Sequence, residues 1–208
     1  TFKSEETVAW EYVVNSLQYV DPGITPNVQV TIAPRLKEIR ISDNGSGMNY
    51  ADLDRFFTMH AENIERVRGR PGRGKFGTGK SAAFGIAGTL VISTVRNGRH
   101  NELILTRDMI ESSEGNDVPV KREKTDQPID APNGTEITIK DIYLKKISAT
   151  PVIEYIERNL ASFRQTAANV AVNDHICEYK EPDVTDIKEF VPSPENAKII
   201  GDATLIVK

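Results

Sequence analysis

Apolar residues recur along this 208-residue chain with two different periods, and the change of period predicts where helices and strands lie. From about Glu5 to Val20 they fall at helical spacing, and an Asp-Pro-Gly sequence then supplies the stop. The stretches NVQVTIAP and LKEIRISDNG instead alternate apolar and polar residues. This alternation predicts two paired strands with one buried face.

The middle and second half of the chain continue this mixture. We expect a helix from an Asn49 cap to about Glu62, and a short helix at SAAFGIAG. Asn97-Gly98 joins two strand-like runs, and this dipeptide is a strong hairpin signal. A strand GTEITIKDI, a helix PVIEYIERNLASFR and a strand NVAVNDHICEY follow, whereas residues 111–131 are polar and poorly patterned. Hairpin-linked strands with helices between them favour an α+β fold: a two-layer α/β sandwich whose mixed, mostly antiparallel sheet carries helices on one face.

From residue 178 the chain becomes acidic, contains three prolines and ends on a fresh strand-like run. We therefore expect a first domain over residues 1–177, and over residues 178–208 a linker and the start of a second domain. The net charge of −4 is mild, and no apolar run approaches the roughly 20 residues of a membrane helix. One cysteine and three scattered histidines do not suggest a zinc site. We expect a cytoplasmic protein with no membrane partner.

A glycine-rich, basic stretch separates the second helix from the hairpin. GKFGTGKS, from Gly74 to Ser81, fits the P-loop pattern G-x-x-x-x-G-K-[ST] letter for letter. A P-loop follows a buried hydrophobic strand, however, and the preceding ERVRGRPGR cannot form one. The favoured interpretation is another phosphate-binding loop, in which glycines let the backbone approach an anion at the start of a helix. A P-loop NTPase stays the minor alternative.

Two further stretches carry residues suited to nucleotide chemistry. Glu11 and Asn15 are four apart on the first predicted helix and so share a face. A carboxylate there can polarise an attacking water, and an amide can ligate magnesium. Asp43 ends a strand just before a glycine turn, where it can accept a hydrogen bond from an adenine amino group. Gly47 would leave room for the flat base, and Met48 would pack on it.

In this order E-x-x-x-N, D-N-G-S-G-M, a G-x-x-G-x-G run and the G-T pair of NGTEITI resemble the N-box and the three glycine motifs of the GHKL superfamily. The superfamily includes gyrase-type topoisomerases, heat-shock chaperones of the ninety-kilodalton class, histidine kinases, MutL and MORC proteins. The layout resembles the chaperone and MORC branch most. The resemblance covers about residues 4–175 and implies the Bergerat α/β sandwich, with ATP and Mg²⁺ as cofactors.

The resemblance implies a role for each matching residue. Glu11 matches the general base for the attacking water, Asn15 the magnesium ligand that bridges the phosphates, and Asp43 the aspartate that reads adenine. Thr135 matches the threonine that supports the adenine contact, and residues 62–80 match a lid over the phosphates. The residues expected to bind the nucleotide are Asn15, Asp43, Gly45, Gly47, Met48, Gly74, Lys75, Phe76, Gly77, Thr78, Gly79, Lys80, Ser81 and Thr135.

Two features depart from the superfamily pattern. Gln18-Tyr19 replaces the Asp-Ala pair that often continues the N-box, which leaves the surroundings of the catalytic pair open. Lys80 directly follows the last lid glycine; contact with the β- or γ-phosphate and simple solvent exposure are both open for it.

The resemblance also implies a function. Glu11 favours hydrolysis, because histidine kinases generally lack a glutamate at this position. We expect an ATP-driven conformational switch with slow, Mg²⁺-dependent ATPase activity that dimerises on ATP in the full-length protein, with weak turnover by this chain alone. The alternatives are a nucleotide-sensing interaction module without hydrolysis and a histidine-kinase catalytic domain. Relatives act on DNA or on protein clients, so both partners are open.

Overall fold

The computed structural model describes residues 2–57, 79–112, 120–163, 168–180, 188–193 and 205–207. An eight-stranded sheet forms its centre. Its strands are β1 (Asn27–Ala33), β2 (Glu38–Asp43), β3 (Ala87–Arg96), β4 (Arg99–Thr106), β5 (Lys121–Pro128), β6 (Gly134–Ile142), β7 (Asn169–Val172) and β8 (His175–Ile176). They lie in the order β5-β4-β3-β6-β2-β1-β7-β8. All neighbours pair antiparallel except β1 and β7, which are parallel.

The four described α-helices are α1 (Glu5–Gln18), α2 (Tyr50–Phe57), α3 (Arg107–Glu111) and α4 (Ala149–Asn159). Helix α1 packs against β1, β2 and α4. It does so through an apolar face that includes Val8, Ala9, Val13 and Leu17, all buried. None of the described helices has the length and apolar character needed to cross a membrane.

The alternating strand residues place the core on one face of the sheet. The register aligns a row of buried side chains across five strands: Val30, Ile41, Ile137, Ile92 and Leu103. The intervening residues of β1, by contrast, are exposed. A sheet with one buried and one polar face needs only one layer of helices, so the predicted two-layer α+β sandwich is confirmed.

Local sequence signals correctly located one hairpin turn and the start of one helix. Asn97 and Gly98 both have positive φ, +52° and +69°, which is what a type I′ hairpin between β3 and β4 requires. Asn49 caps α2, because its Oδ1 accepts the backbone N–H of Asp52 at 2.8 Å. Leu53 on this helix is buried, and the predicted continuation from residue 58 to Glu62 lies outside the described residues.

Three predicted elements differ from the structure in helix type, in the number of strands or only in their ends. In place of the short helix predicted at SAAFGIAG, residues 81–88, the chain forms a 3-10 helix from Gly79 to Gly85. Strand β3 already begins at Ala87. NVAVNDHICEY is a hairpin of β7 and β8, because Asn173 adopts a left-handed φ of +51° and reverses the chain. The helix predicted over residues 151–164 begins at Ala149 and tightens into a 3-10 helix after Asn159.

The polar stretch from 111 to 131 contains the strand β5, which periodicity did not reveal. Its sequence KREKTDQP has no large apolar side chain, because β5 is an edge strand with both faces largely open to solvent. Charged residues and a proline are typical of sheet edges, where they discourage pairing with another chain. A cross-strand ion pair holds it in place: Lys124 Nζ lies 2.9 Å from Glu102 Oε2 on β4.

Towards the C-terminus, two short strands form a separate antiparallel pair: β9 (Lys188–Phe190) and β10 (Leu205–Val207). The strand-like character of the last residues is thereby confirmed. The division into a first domain ending at residue 177 and a second one beginning beyond it stays a prediction.

Glu157 is a buried carboxylate that ties α4 to the chain leaving the sheet. Its side chain is 2% exposed, and it contacts His175 Nε2 at 2.8 Å and Lys180 Nζ at 2.6 Å. Burial alone would raise the pKa of Glu157, but the hydrogen bonds and charges of His175 and Lys180 outweigh it and lower the pKa below its usual 4.5. The folded chain therefore favours the ionised form.

This ion pair predicts how stability depends on pH. Because the folded-state pKa of Glu157 is lowered, its contribution is present above pH 4.5 and is lost as the pH falls through that lowered pKa. We expect Glu157→Gln to reduce the free energy of unfolding by about 1–3 kcal/mol at pH 7, and to lose less stability than the wild type between pH 5 and 3. Urea titrations measure both effects, with the exposed Glu154→Gln as control. If Glu157→Gln loses as much stability as the wild type between pH 5 and 3, the assignment is contradicted.

Candidate nucleotide-binding site

Helix α1 and the ends of β2 and β6 meet at the carboxylate of Asp43. Ser16 Oγ on α1 donates to Oδ2 at 2.6 Å. The backbone N–H groups of Gly45 and Thr135 donate to Oδ1 at 2.9 and 3.0 Å. A carboxylate accepts about four hydrogen bonds, so these three fix its orientation and leave capacity for one further donor.

The environment of Asp43 also changes its protonation. Burial raises its pKa above the usual 3.8, and the hydrogen bonds from Ser16, Gly45 and Thr135 oppose that effect without cancelling it. All three partners donate to its oxygens, and this favours the ionised form of the carboxyl in its partly desolvated site. Such an acceptor interacts more strongly with an N–H donor than it would in water, because less solvent competes for it.

The glycines around Asp43 allow neighbouring backbones to approach closely. Gly47 has a φ of +66°, and a Cβ atom there would overlap the carbonyl oxygen of Val95 on β3. A Cβ atom at Gly134 would overlap the carbonyl oxygen of Asp43 itself. Both positions therefore require glycine for packing alone. The predicted role of Gly47, leaving room for a flat base, stays a prediction beside this structural one.

Thr94 on β3 connects Met48, Gly134 and Thr135 by hydrogen bonds. Its hydroxyl accepts the backbone N–H of Met48 at 2.8 Å, donates to the carbonyl of Gly134 at 3.1 Å and lies 3.1 Å from Thr135 Oγ1. The side chain of Thr94 is 1% exposed. Met48, which packs against the core cluster, and Thr135 are thus held by one hydroxyl.

Sequence reasoning missed both Ser16 and Thr94. Thr94 carried a usable signal, because it continues the buried positions Leu90 and Ile92 of β3 with a polar side chain. A polar residue in such an apolar series needs a partner and often marks a site. Ser16 follows Asn15 directly and lies on the buried side of α1, a position that is also unusual for a hydroxyl.

Glu11 and Asn15 lie one turn apart on α1 and are both half-buried. Burial raises the pKa of Glu11 above its usual 4.5. The amide oxygen of Asn15 is a hard oxygen donor of the type that Mg²⁺ prefers, and this ion usually takes one or two protein ligands beside phosphate oxygens. Asn15 therefore fits the implied ion.

The structure describes the residues predicted to contact the adenine ring. Most of the residues predicted to contact the phosphates lie outside the described residues. Gly45 and Thr135 bond to the Asp43 carboxylate, which Ser16 joins to the helix that carries Glu11 and Asn15. Met48 is connected to Thr135 through Thr94, and Gly47 packs against Val95. The residues outside the description are Gly74, Lys75, Phe76, Gly77 and Thr78, with the side chains of Lys80 and Ser81 and most of the expected lid. All their roles stay predictions.

Comparisons with known proteins identify the family and the fold of the chain. A family model described as "Histidine kinase-, DNA gyrase B-, and HSP90-like ATPase" matches residues 3–141, which include α1 and strands β1 to nearly the end of β6. The curated "Putative type II restriction enzyme HgiDII" of Herpetosiphon aurantiacus is 23% identical over 199 residues, covering 81% of this chain and 33% of that protein. The chain thus spans about a third of this relative.

Solved structures show the same architecture. Two crystal structures of the ATPase region of Saccharomyces cerevisiae topoisomerase II match with TM-scores of 0.57 and 0.56, the second being bound to ICRF-187 (dexrazoxane). Each is 15% identical and covers 84% of this chain and 49% of its own. The mostly antiparallel sheet and the family match favour this ATPase family over a P-loop NTPase, while residues 74–78 of GKFGTGKS lie outside the described part of the chain. From its fold and the match over residues 3–141, the chain belongs to the family of histidine kinase-, DNA gyrase B- and HSP90-like ATPases and is an ATP-binding domain.

Proposed function

We propose that this chain hydrolyses ATP slowly with Mg²⁺ and acts as a nucleotide-driven conformational switch that dimerises on ATP in the full-length protein. The observation that supports it most is the placement of three functional side chains on one helix. Glu11 and Asn15 lie beside Ser16, which holds Asp43 at 2.6 Å. One rigid element thus joins the proposed hydrolytic residues to the proposed base pocket, so both would be aligned on a single nucleotide.

Asp43 is proposed to read the adenine ring. Its remaining acceptor capacity suits the exocyclic amino group of adenine, which donates. Guanine presents a carbonyl oxygen at the equivalent position, and two acceptors facing each other in a desolvated pocket repel. Ser16, Gly45 and Thr135 would keep the carboxylate from rotating towards any other donor.

Glu11 is proposed to accept the proton of the attacking water. Burial raises its pKa, which makes its carboxylate a stronger base than that of an exposed glutamate. Asn15 would hold the magnesium ion, which when bound supplies charge neutralisation of the phosphates. Lys80 is proposed to reach a phosphate oxygen, and the glycines near it to wrap the phosphates.

The whole protein is longer than this chain if it resembles its curated relative, of which the chain covers 33%. The name of that relative, a restriction enzyme, supports DNA rather than a protein client as the partner of the full-length protein. A cytoplasmic location is part of the same proposal.

Base recognition is tested by Asp43→Asn. An amide places a donor among groups that already donate, so we expect the Kd for ATP to rise roughly ten- to hundredfold, about 1.5–3 kcal/mol. Ser16→Ala should weaken binding less, because the two backbone donors stay in place. Calorimetric titration with ATP measures the affinity of each variant, and titration with GTP measures the selectivity for adenine. The exposed Asp130→Asn is the control. Unchanged ATP affinity in Asp43→Asn would overturn the assigned pocket.

The hydrolytic role is tested by Glu11→Gln. Loss of a general base should lower the turnover number about 10²- to 10⁴-fold while ATP affinity changes little. Phosphate release under saturating ATP measures the rate, and Glu6→Gln on the same helix is the matched control. Equal turnover in wild type and Glu11→Gln contradicts the assignment of the base. A wild type that binds ATP without turnover would identify a nucleotide-sensing module instead.

The pH dependence of turnover gives an independent test. Glu11 works as a base only when deprotonated, so turnover should fall as the pH drops through its raised pKa, above the usual 4.5. The ratio of wild-type to Glu11→Gln turnover at saturating ATP removes the titration of the nucleotide and of other groups. We expect this ratio to decline on the acid side. A ratio that stays constant down to pH 4.5 contradicts the prediction.

A further inference from the structure

Tyr12, the neighbour of Glu11 on α1, bonds to a segment 71 residues further along the chain. Its side chain is 2% exposed, and its hydroxyl accepts the backbone N–H of Ala83 at 3.3 Å. Ala83 belongs to the 3-10 helix Gly79–Gly85, which leads into β3, and is itself fully buried. This bond therefore joins the helix of the proposed catalytic residues to the segment next to the expected phosphate-binding glycines.

The same 3-10 helix is held on its other sides by separate contacts. The carbonyl of Phe84 accepts hydrogen bonds from the Arg107 guanidinium and from the Tyr143 hydroxyl, the latter at 3.2 Å. A Cβ atom at Gly85 would overlap the carbonyl oxygen of Phe2, so these backbones are in direct contact. The segment is thus fixed relative to the sheet, and Tyr12 sets the position of α1 against a rigid support.

A hydroxyl at this position is not needed to fill the core. Tyr12 lies among buried apolar residues of α1 such as Val8 and Val13, where phenylalanine would bury nearly the same area. Removing a hydroxyl from water costs free energy unless it gains a directed bond. Burial also raises the pKa of Tyr12 above its usual 10.0, so the hydroxyl stays protonated at neutral pH. The polar atom is better explained by alignment than by packing.

We propose that Tyr12 is a positioning residue for the ATPase reaction: its hydroxyl sets the separation between the Glu11–Asn15 face of α1 and the segment beginning at Gly79. The proposal rests on the proposed hydrolysis of ATP. A general base must lie within hydrogen-bond reach of the water it activates. A shift of about 1 Å in such a geometry costs up to the order of 10² in rate. The adenine contact at Asp43 is supported by other bonds and should not depend on Tyr12.

Tyr12→Phe removes the hydroxyl and keeps the ring. We expect kcat for ATP hydrolysis to fall on the order of tenfold, with the Kd for ADP changed less than about twofold because Asp43 keeps its partners. The matched control is Tyr155→Phe on α4, whose ring packs edge-to-face against Trp10 of α1 at 6.4 Å. This control removes a hydroxyl from the same helix pair and should keep the wild-type kcat.

A double variant separates alignment from simple loss of stability. If Tyr12 acts through Glu11, Tyr12→Phe should lower the residual rate of the Glu11→Gln variant less than about twofold. A structural effect would instead reduce both backgrounds by the same factor. Rates are normalised to the folded fraction by thermal denaturation of each variant.

The outcomes distinguish the two proposals. A wild type that hydrolyses ATP, with unchanged kcat in Tyr12→Phe, overturns the role of Tyr12 alone. Equal losses of kcat and of ADP affinity, or equal losses in both Glu11 backgrounds, overturn it as well, since they indicate a general structural role. A wild type that binds ADP but does not turn over ATP overturns the proposed hydrolysis and the Tyr12 proposal with it.

Discussion

The described site depends on one interaction, the set of three hydrogen bonds that the carboxylate of Asp43 accepts. Its three donors come from α1, from the loop after β2 and from the start of β6, so one side chain joins the helical layer to two strands of the sheet. A buried anion without such partners would be strongly unfavourable. The three hydrogen bonds form only when α1, the loop after β2 and the start of β6 are all in place.

Helix α1 transmits that constraint across the molecule. Its apolar face packs on β1 and β2, Ser16 contacts Asp43, and Tyr12 contacts the segment that enters β3. Glu11 and Asn15 directly precede the two residues that make these polar contacts, on the same rigid helix. A helix that is fixed by contacts at two points can hold its side chains more precisely than a loop. At the far side, Glu157 ties α4 to the departing chain.

Sequence patterns predicted the elements whose burial is one-sided. Alternation located β1 and β2, and Asn97-Gly98 located the β3–β4 hairpin. Strand β5 escaped prediction because an edge strand buries almost nothing and so shows no apolar period. In the candidate site, the order of the sequence motifs predicted Asp43, Gly47 and Thr135 as nucleotide-binding residues. Ser16 and Thr94 escaped because a hydroxyl's role depends on the partner it meets, and that partner lies 27 or more residues away.

By itself the sequence determined the fold class, the family resemblance and the order of the motifs, since periodicity and spacing are local properties of the chain. Only the tertiary structure decided why Gly47 must be glycine, which hydroxyls hold Asp43 and Met48, and that Tyr12 meets Ala83. The physical reason is that hydrogen bonds act over about 3 Å. Pairs distant in sequence come within that range only after the strand order of the sheet has brought their elements together.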